Sequence, residues 1–306
     1  MPMKAIVTGG AGFIGSHLTD ALIAIGAEVH VIDNLSTGDA ARVHPSAELH
    51  AADVRSPAAR SAVVSAKPDI MFHLAAQADV QRSMDDPDLD LSVNVSGTLN
   101  MLEACREAGV RKFVFASTSG VYGDLQRDLM REDDPVDPIS YYGLSKLTAE
   151  RYIRLYDRHA GVPYTILRYG NVYGPRQTSK GEGGVVAIFM ERILKGLPLT
   201  IHGDGRQTRD FVYVQDILQA NLAAAERGSG ETLHVSTGKP TSVNQLVELL
   251  RRIHPAEIAA EYGPARSGDI VHSCLSNRLT RTLLRWQPAC DIEHGLRETY
   301  RHWLKT

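Results

Sequence analysis

Cysteine is scarce in this 306-residue sequence, and its three cysteines, Cys105, Cys274 and Cys290, lie far apart. Three separated thiols are too few for a disulfide framework, and none of them forms a metal-ligand spacing with histidine. The cysteines therefore indicate free thiols in a reducing compartment. The sequence predicts no metal site.

Long apolar runs are also missing. The first run, residues 5–7, stops at Gly9 and Gly10, which is far short of a signal-peptide core. No run approaches the roughly 20 apolar residues that cross a membrane. We therefore expect a cytoplasmic protein without a membrane partner.

An excess of positive charge is absent as well. The chain carries 33 Lys and Arg against 36 Asp and Glu, a formal net charge of −3, and its basic residues are scattered. This distribution excludes the basic surface of a nucleic-acid-binding protein, so an anionic ligand must be bound by a local site. Hydrophobic residues make up 43% of the chain, which is enough for a substantial core.

Short β-branched runs alternate with longer amphipathic runs through the first half of the chain. This alternation is typical of βαβ units, and it predicts an α/β fold with a Rossmann-type, doubly wound parallel sheet. The predicted segments are residues 4–8, 16–25, 28–33, 48–51, 57–66, 69–73, 91–108, 111–116, 140–159 and 164–169.

The composition changes after Gly174 and Pro175, where a glycine-rich stretch and shorter elements follow. We predict a dinucleotide-binding Rossmann domain in residues 1–175 and a smaller substrate domain mainly in residues 176–306. A strand at 232–235 and a helix at 242–253, which opens with a Ser242-x-x-Gln245 capping box, are expected to return to the first domain.

Gly9, Gly12 and Gly15 follow the first predicted strand and open the first helix. Glycines at these positions let the backbone turn sharply and approach a pyrophosphate, while the helix N-terminus supplies N–H donors. A tight strand–helix turn without a ligand is the alternative. Asp33 favours the dinucleotide because it ends the second strand about 20 residues later, where a carboxylate binds the adenosine ribose and repels a 2′-phosphate. We therefore predict NAD rather than NADP.

Two further segments follow strands, at the sheet edge where ligands of open α/β sheets lie. Asp53 and Val54 follow the third strand, and Leu74, Ala75 and Ala76 follow the fourth. Their small side chains would leave room for the adenine and the dinucleotide backbone. Close helix–sheet packing explains either alanine equally well.

Tyr142 and Lys146 are four residues apart at the start of a predicted helix, so they lie on one face. Moving a tyrosine pKa from about 10 to near 7 needs roughly 4 kcal/mol. A cation at about 5 Å supplies roughly 3 kcal/mol at an effective dielectric constant near 20. Lys146 and a positive nicotinamide ring together would make Tyr142 a base, although the spacing alone also fits an exposed surface pair.

With these motifs, the chain resembles the extended short-chain dehydrogenase/reductase family, and within it the UDP-sugar 4-epimerases. The resemblance runs from about residue 3 to the C-terminus. Its motifs are Thr8-Gly-Gly-Ala-Gly-Phe-Ile-Gly15, His73-Leu-Ala-Ala76, Tyr142-Gly-Leu-Ser-Lys146, Leu167-Arg-Tyr-Gly-Asn-Val-Tyr-Gly-Pro-Arg176 and Arg209-Asp-Phe-Val-Tyr-Val214.

The resemblance implies reversible epimerisation at C4 of UDP-glucose and UDP-galactose through a transient 4-keto sugar with tightly bound NAD. Thr118 falls where such epimerases keep a Ser or Thr that hydrogen-bonds the reacting hydroxyl. The related 4,6-dehydratases carry carboxylates directly after that threonine, where this chain has Ser119 and Gly120, and the decarboxylating relatives also keep a Glu that is absent here. Alternatives are another NAD-dependent nucleotide-sugar oxidoreductase or dehydratase, and a non-catalytic dinucleotide sensor.

The motifs and the resemblance together assign the site residues. Predicted catalytic residues are Tyr142, Lys146 and Thr118. Predicted cofactor-binding residues are Gly9, Gly12, Phe13, Ile14, Gly15, Asp33, Asn34, Gly38, Asp53, Val54, Leu74, Ala75, Ala76, Lys146 and Tyr169. Predicted substrate-binding residues are Thr118, Tyr142, Asn171, His202, Arg209, Arg266 and Ser273.

Three of these assignments carry a specific expectation. Arg209 and Arg266 would hold the diphosphate, since guanidinium groups bind phosphate oxygens in pairs. The small Ser273 falls where a tyrosine restricts other 4-epimerases to unacetylated sugars, so UDP-N-acetylglucosamine is also expected as a substrate unless Ser273 points away from the pocket.

Gly170 and His202 depart from the family pattern, in which phenylalanine is frequent at the first position and an aromatic residue at the second. The resemblance also implies a homodimer through residues 91–108 and 140–159.

Overall fold

The computed structural model describes residues 2–125, 127–180, 183–265 and 270–305. Its strands are β1 (Lys4–Thr8), β2 (Glu28–Asp33), β3 (Glu48–Ala51), β4 (Ile70–His73), β5 (Lys112–Thr118), β6 (Tyr164–Tyr169), β7 (Asn171–Tyr173), β8 (Leu199–His202), β9 (Thr208–Tyr213), β10 (Glu231–Val235), β11 (Pro240–Ser242) and β12 (Ala260–Gly263). Its helices are α1 (Phe13–Ala24), α2 (Pro57–Ala66), α3 (Val80–Asp85), α4 (Pro87–Leu91), α5 (Gly97–Ala108), α6 (Tyr141–Ala160), α7 (Val185–Leu194), α8 (Val214–Glu226), α9 (Val243–Ile253), α10 (Arg278–Leu283) and α11 (Ile292–Trp303).

Seven strands form the central sheet in the order β10-β6-β5-β4-β1-β2-β3, and every neighbouring pair is parallel. Helices cover both faces: α1 and α8 pack on one side, and α2, α5 and α6 pack on the other. The predicted Rossmann-type fold is therefore confirmed. Because the strand order reverses between β1 and β4, their carboxyl ends form the crevice in which such sheets bind ligands.

Local sequence signals set several helix boundaries. The Ser56 side chain accepts a hydrogen bond at the start of α2, where Pro57 takes the first helical position. Ser140 caps α6 in the same way. Ser242 and Gln245 form the predicted capping box at the start of α9.

Two predicted helices differ from the observed ones. The first begins at Phe13 rather than at residue 16, because Gly12 is its N-cap. The single helix predicted at 91–108 is interrupted by a π-helical turn, Ser92–Ser96, between α4 and α5. This turn contains Asn94, which is buried and makes side-chain hydrogen bonds that a regular helix would not require.

The remaining elements build a second apolar core. A three-stranded sheet, β11-β9-β7, and a two-stranded sheet, β12-β8, lie with α7, α9 and α11 around it. The strand β10 pairs with β6 in the central sheet. The helix α9 buries its apolar face against α11 and β11. The domain division at residues 175/176 stays a prediction.

None of the helices in the described ranges is both long enough and apolar enough to span a membrane.

Candidate active site

The turn between β1 and α1 is built on glycines that approach other backbone atoms closely. Gly9 has a φ of +71°, and a Cβ on it would lie 2.8 Å from the amide nitrogen of Ala75. A Cβ on Gly15 would collide with the carbonyl oxygen of Gly9. Gly12 is the N-cap of α1, and no side chain caps the first amide groups of the helix. The helix therefore directs backbone N–H donors and the positive end of its dipole toward the crevice.

Phe13 and Ile14 anchor the start of α1. The Phe13 side chain is buried in the second apolar core, and Ile14 is half-buried where both cores meet. The backbone of these two predicted cofactor residues therefore lies at the glycine-rich turn, while their side chains pack in the apolar cores.

Asp33 ends β2 beside this turn. Its carboxylate accepts hydrogen bonds from the amides of Ala11, at 3.0 Å, and Leu35, at 2.8 Å. Gly38 lies against it, and a Cβ on Gly38 would approach Asp33 Oδ1 to 3.0 Å. The carboxylate is therefore held in place at the strand end, with oxygen lone pairs remaining for a ribose hydroxyl.

Asn34, Asp53 and Val54 lie at the carboxyl ends of β2 and β3. The Asn34 amide donates to Asp53 Oδ2 at 2.9 Å. Arg55 pairs with the same carboxylate at 2.7 Å, and its hydrogen bonds hold the pKa of Asp53 well below its usual range despite partial burial. Val54 is buried and contacts α5, where a Cβ on Gly97 would approach it to 2.8 Å.

Leu74, Ala75 and Ala76 follow β4 and are all half-buried. The hydroxyl of Thr8 accepts hydrogen bonds from the amides of Leu74 and Ala75, each at 3.1 Å. This contact joins the ends of β1 and β4. Thr8 was not among the predicted site residues, although it begins the glycine-rich motif.

His73 connects the same edge of the sheet to α5. Its Nδ1 lies 2.8 Å from the Thr8 hydroxyl, and its Nε2 lies 3.1 Å from the Thr98 hydroxyl. Thr98 donates its own proton to the carbonyl of Asn94, so it accepts from Nε2–H of His73. Complete burial, together with the positive charge of Lys146, lowers the pKa of His73 to about 3. The ring is therefore neutral.

Lys146 is buried one turn after Tyr142 in α6. Its ammonium donates to the carbonyl of Ala116 at 2.9 Å and lies 4.8 Å from the centre of the Phe115 ring. Tyr142 is half-buried, and its amide donates to the Ser83 hydroxyl at 3.1 Å. The geometry thus places a cation inside the protein on the helix face that also carries the tyrosine.

Thr118 ends β5 next to the first turn of α6. Its hydroxyl accepts a hydrogen bond from the Gly120 amide at 3.0 Å. A Cβ on Gly143 would lie 2.6 Å from the Gly120 carbonyl oxygen, so α6 can approach this turn only because residue 143 is glycine. The structure therefore brings together the segments that carry Thr118, Tyr142 and Lys146.

A buried hydrogen-bond network beneath α6 was not predicted. The Asn94 amide donates to Asp90 Oδ1 and to the Ser145 hydroxyl, at 3.1 and 3.0 Å, and Asn94 Oδ1 accepts from the Gln77 amide. Ser145 in turn donates to the carbonyl of Tyr142. The network fixes the helix turn between tyrosine and lysine. In the sequence, the network is indicated only by Asn94, a polar residue on the apolar face of the predicted helix.

Tyr169 and Gly170 lie at the end of β6. The Tyr169 hydroxyl bonds to Asn221 of α8, and its ring is buried in the core on the α1 and α8 side. A Cβ on Gly170 would approach the carbonyl oxygen of Asp210 to 2.8 Å. Close contact with β9 thus accounts for glycine at position 170.

Three predicted substrate residues lie around β9. Asn171 starts β7 and is paired with Phe211 of β9. Arg209 donates from Nη1 to the carbonyl of Ile270 at 2.7 Å. Ser273 is buried, and its amide donates to the carbonyl of Thr208 at 3.2 Å. The segment after residue 269 therefore runs beside the strand that carries Arg209.

His202 and Arg266 complete the predicted set. His202 ends β8, where its Nδ1 lies 3.3 Å from the carbonyl oxygen of Pro264, and its own carbonyl accepts a hydrogen bond from the Gln207 side chain. Arg266 lies outside the described residues. The pairing of two arginines on a diphosphate therefore stays a prediction.

Comparison with protein families decides the class of this site. The NAD dependent epimerase/dehydratase family matches residues 5–236 of the chain. The chain belongs to this family. Family members depend on NAD, so NAD is the cofactor.

Relatives of this chain within the family include UDP-sugar 4-epimerases. A putative UDP-glucose 4-epimerase of Methanocaldococcus jannaschii is 42% identical over 301 residues, which cover 98% of both chains. The crystal structure of the Thermotoga maritima UDP-glucose 4-epimerase with UDP-glucose has a TM-score of 0.95, 42% identity and 99% coverage of both chains. A UDP-N-acetylglucosamine 4-epimerase of Methanobrevibacter ruminantium, solved with UDP-N-acetylmuramic acid, has a TM-score of 0.95 at 33% identity, again covering 99% of both chains.

The described residues fit the family's cofactor. The backbone at Gly9 and Gly15 leaves a concave space next to the N-terminus of α1. A Cβ atom on either glycine would clash with the surrounding backbone. Asp33 stands one strand away with its carboxylate held by backbone amides, as an adenosine ribose requires. The assignment of individual residues to cofactor and substrate stays a prediction.

Proposed function

We propose that the chain interconverts C4 epimers of a UDP-hexose. The observation that carries this proposal is the buried Lys146 ammonium, fixed on the Ala116 carbonyl one helical turn from Tyr142. A cation in that position favours the phenolate form of a neighbouring tyrosine. Together with the UDP-sugar epimerases among the relatives, it supports proton abstraction from a sugar hydroxyl.

In this mechanism Tyr142 accepts the proton of the 4-hydroxyl and later returns it. Thr118 lies at the adjacent strand end and relays that proton over a short distance. The glycine turn at Gly9 and the Asp33 carboxylate would hold NAD, which would supply reversible hydride acceptance for the C4 position. Lys146 stabilises the phenolate through its charge, and the packing of Gly143 on Gly120 keeps the tyrosine turn close to Thr118.

Binding of the nucleotide sugar is assigned to the region around β9. Arg209 is oriented by the backbone carbonyls of Thr208 and Ile270, which position its guanidinium for diphosphate. Asn171 is on the neighbouring strand, β7. We assign the sugar to the space between these residues and the first turn of α6.

A dehydratase or decarboxylase in the same family is the second candidate. Those reactions need a further acid or base after the strand-end threonine, and Ser119 and Gly120 provide no carboxylate there. A net oxidoreductase on the same scaffold would consume or release NADH in proportion to turnover. Epimerisation leaves the amount of oxidised cofactor unchanged.

The deciding experiment follows the purified protein with UDP-glucose and with UDP-N-acetylglucosamine by NMR. We expect conversion of each sugar to its C4 epimer with no accumulation of free NADH. Appearance of a 4-keto-6-deoxy sugar, or of carbon dioxide when UDP-glucuronic acid is supplied as a further substrate, would assign the second candidate instead, and stoichiometric NADH would indicate a net oxidoreductase. The cytoplasmic location and the homodimer also remain part of this proposal.

A further inference from the structure

Four ionisable side chains line one face of the β2–β3 strand pair, at the edge of the central sheet. They are Glu28 and His30 of β2, and Glu48 and His50 of β3. Parallel pairing places His30 opposite Glu48, with His50 two residues further along the same face. None of the four takes part in the proposed reaction, which uses residues at the end of β5 and on α6.

Three of these side chains bring ligand atoms together. Nδ1 of His30 lies 3.1 Å from Nε2 of His50, and 3.4 Å from Oε2 of Glu48. The other Glu48 oxygen lies 3.6 Å from Nε2 of His50. Ligands at the usual distance of about 2.0–2.1 Å from a tetrahedral zinc ion are separated from each other by about 3.3 Å. The observed separations are close to that value.

The surroundings of His30 prepare it for coordination. Its second nitrogen, Nε2, lies 3.3 Å from Oε1 of Glu28, which fixes the proton on Nε2 and leaves the Nδ1 lone pair facing His50. Histidines that bind metals commonly donate their other N–H to a carboxylate in this way. Lys4 pairs with Glu28 at 2.8 Å and balances part of the negative charge, so the cluster retains one net negative charge with both imidazoles neutral.

We propose that His30, Glu48 and His50 form a binding site for Zn²⁺ or a similar divalent transition metal, with Glu28 as the supporting carboxylate. Two imidazoles and one carboxylate are ligands that suit zinc, and water would complete the coordination. In the metal-free protein the neutral His50 donates from Nε2 to Nδ1 of His30. When a metal binds, the ring proton of His50 moves by exchange with water to its Nδ1, and the rings turn slightly so that both lone pairs meet the ion.

A metal at this site would stabilise the edge of the central sheet and would take no part in catalysis. β3 is the edge strand of the sheet, and a metal bridging β2 and β3 would hold it to its neighbour. Asp33 ends β2 and Asp53 follows β3, and the adenosine half of the cofactor is expected at these strand ends. Metal binding should therefore raise thermal stability while the catalytic segments around Tyr142 and Lys146 are unaffected.

The sequence did not predict this site, because its ligands are contributed by two strands. Local spacing shows only His30 alone and the pair Glu48 and His50. The parallel register of β2 and β3 is what unites them, and that register is known only from the fold.

The test titrates the full-length protein with zinc chloride in a non-coordinating buffer at pH 7.5, by calorimetry and by thermal unfolding. Wild type should bind one Zn²⁺ per chain with a concentration-dependent rise in Tm. Glu48→Gln and His50→Gln replace side chains that are 65% and 23% exposed, so both variants should fold, and each should weaken binding by more than about tenfold. His159→Ala, at an exposed histidine at the end of α6, is the matched control and should bind as wild type does.

A second readout uses cobalt(II), whose visible absorption intensifies when imidazole and carboxylate ligands hold it in a four-coordinate site. The band should appear in wild type and in His159→Ala, and should be absent when Glu48→Gln and His50→Gln are combined. Zinc binding that is undiminished in both single variants, several weak ions per chain, or no saturable binding would each overturn the proposal.

Discussion

Glu150 of α6 and Arg168 of β6 form a fully buried, bidentate ion pair. Oε2 of Glu150 lies 2.7 Å from Nη2 of Arg168, and Oε1 lies 2.9 Å from Nε. Ser117 and Arg154 donate to the same carboxylate at 2.6 and 3.0 Å. The pair fixes the middle of the helix that carries Tyr142 to two central strands of the sheet.

Loss of this pair should cost more stability than loss of a surface pair. We expect Glu150→Gln to lower the free energy of unfolding by about 3–5 kcal/mol, because Arg168 would stay buried without its counter-ion. Glu248→Gln, which removes an exposed pair with Arg251, should cost about 0–1 kcal/mol. Urea unfolding measures both. Equal costs would show that the buried pair contributes no more than the exposed one.

The same carboxylate makes part of the stability dependent on pH. Burial alone would raise the pKa of Glu150, but hydrogen bonds and charge from Arg168 outweigh it, so the pKa is lowered overall. A lowered folded-state pKa contributes stability above the unfolded value of 4.5, and this contribution is lost as the pH falls through the folded-state value. Wild type should therefore lose stability below about pH 4.5 more steeply than Glu150→Gln.

Proton transfer should depend on Tyr142 and Lys146 and not on their exposed neighbours. We expect Tyr142→Phe and Lys146→Ala to lower kcat by about 10²–10⁴-fold without changing the circular dichroism spectrum. Tyr141→Phe and Lys195→Ala, both at exposed positions, are the matched controls and should retain activity. A Tyr142→Phe enzyme within about tenfold of wild type would remove the tyrosine from the mechanism.

Cofactor choice should follow the charge of Asp33. The carboxylate is fixed by the Ala11 and Leu35 amides, so it cannot turn away from a 2′-phosphate. Protein freed of cofactor should bind NAD at least about tenfold more tightly than NADP, and Asp33→Asn should narrow that ratio. Asp88→Asn, at an exposed position, should leave the ratio unchanged. Equal affinities in wild type would contradict the role of Asp33.

Self-association should use the outer face of α6. Leu144, Tyr152 and Leu155 are between 41% and 49% exposed on that helix, and Leu91 at the end of α4 is 54% exposed. Exposed apolar side chains on one helix favour an interface, and two helices from each chain would form a four-helix contact.

Light scattering at micromolar concentration should give twice the mass of one chain. Leu155→Glu should shift the protein toward the monomer, whereas Leu304→Glu, 58% exposed near the C-terminus, should not. A wild-type monomer would refute the predicted dimer.

Substrate range should depend on Ser273. The serine is small and buried beside β9, the strand that carries Arg209. If its side chain borders the sugar, Ser273→Tyr should reduce kcat/KM for UDP-N-acetylglucosamine about a hundredfold, since displacement of the sugar by about 1 Å has that effect. Activity on UDP-glucose should change much less. Equal losses on both substrates would indicate a general packing defect and no selective role.

Much of the fold was predictable because its signals are local. The bounds of β1 and β2 agree with the prediction, since their buried β-branched runs end at glycine or aspartate. The bounds of β3 also agree, although its four residues are neither β-branched nor buried. The interruption of the helix at 92–96 was not predictable, because it depends on hydrogen bonds from Asn94 to residues 17 and 51 positions away in sequence.

The site was predictable only in part for the same reason. Glycine motifs and the Tyr142–Lys146 spacing are visible in the chain, but the partners of these residues are not. Ala116, which accepts the hydrogen bond from Lys146, is 30 residues away and contributes only a backbone atom. Gly170 appeared as a departure from the family pattern, and only its approach to Asp210 explains it.

The neutrality of His73 has an electrical consequence for the reaction. A histidine normally changes charge near physiological pH, and one so close to Lys146 would then add a second cation whose presence varied with acidity. Because its ring is held between two threonine hydroxyls and its pKa is lowered to about 3, His73 adds no charge that varies near neutral pH beside Lys146. A bend in the pH–rate profile near neutrality should therefore not arise from His73.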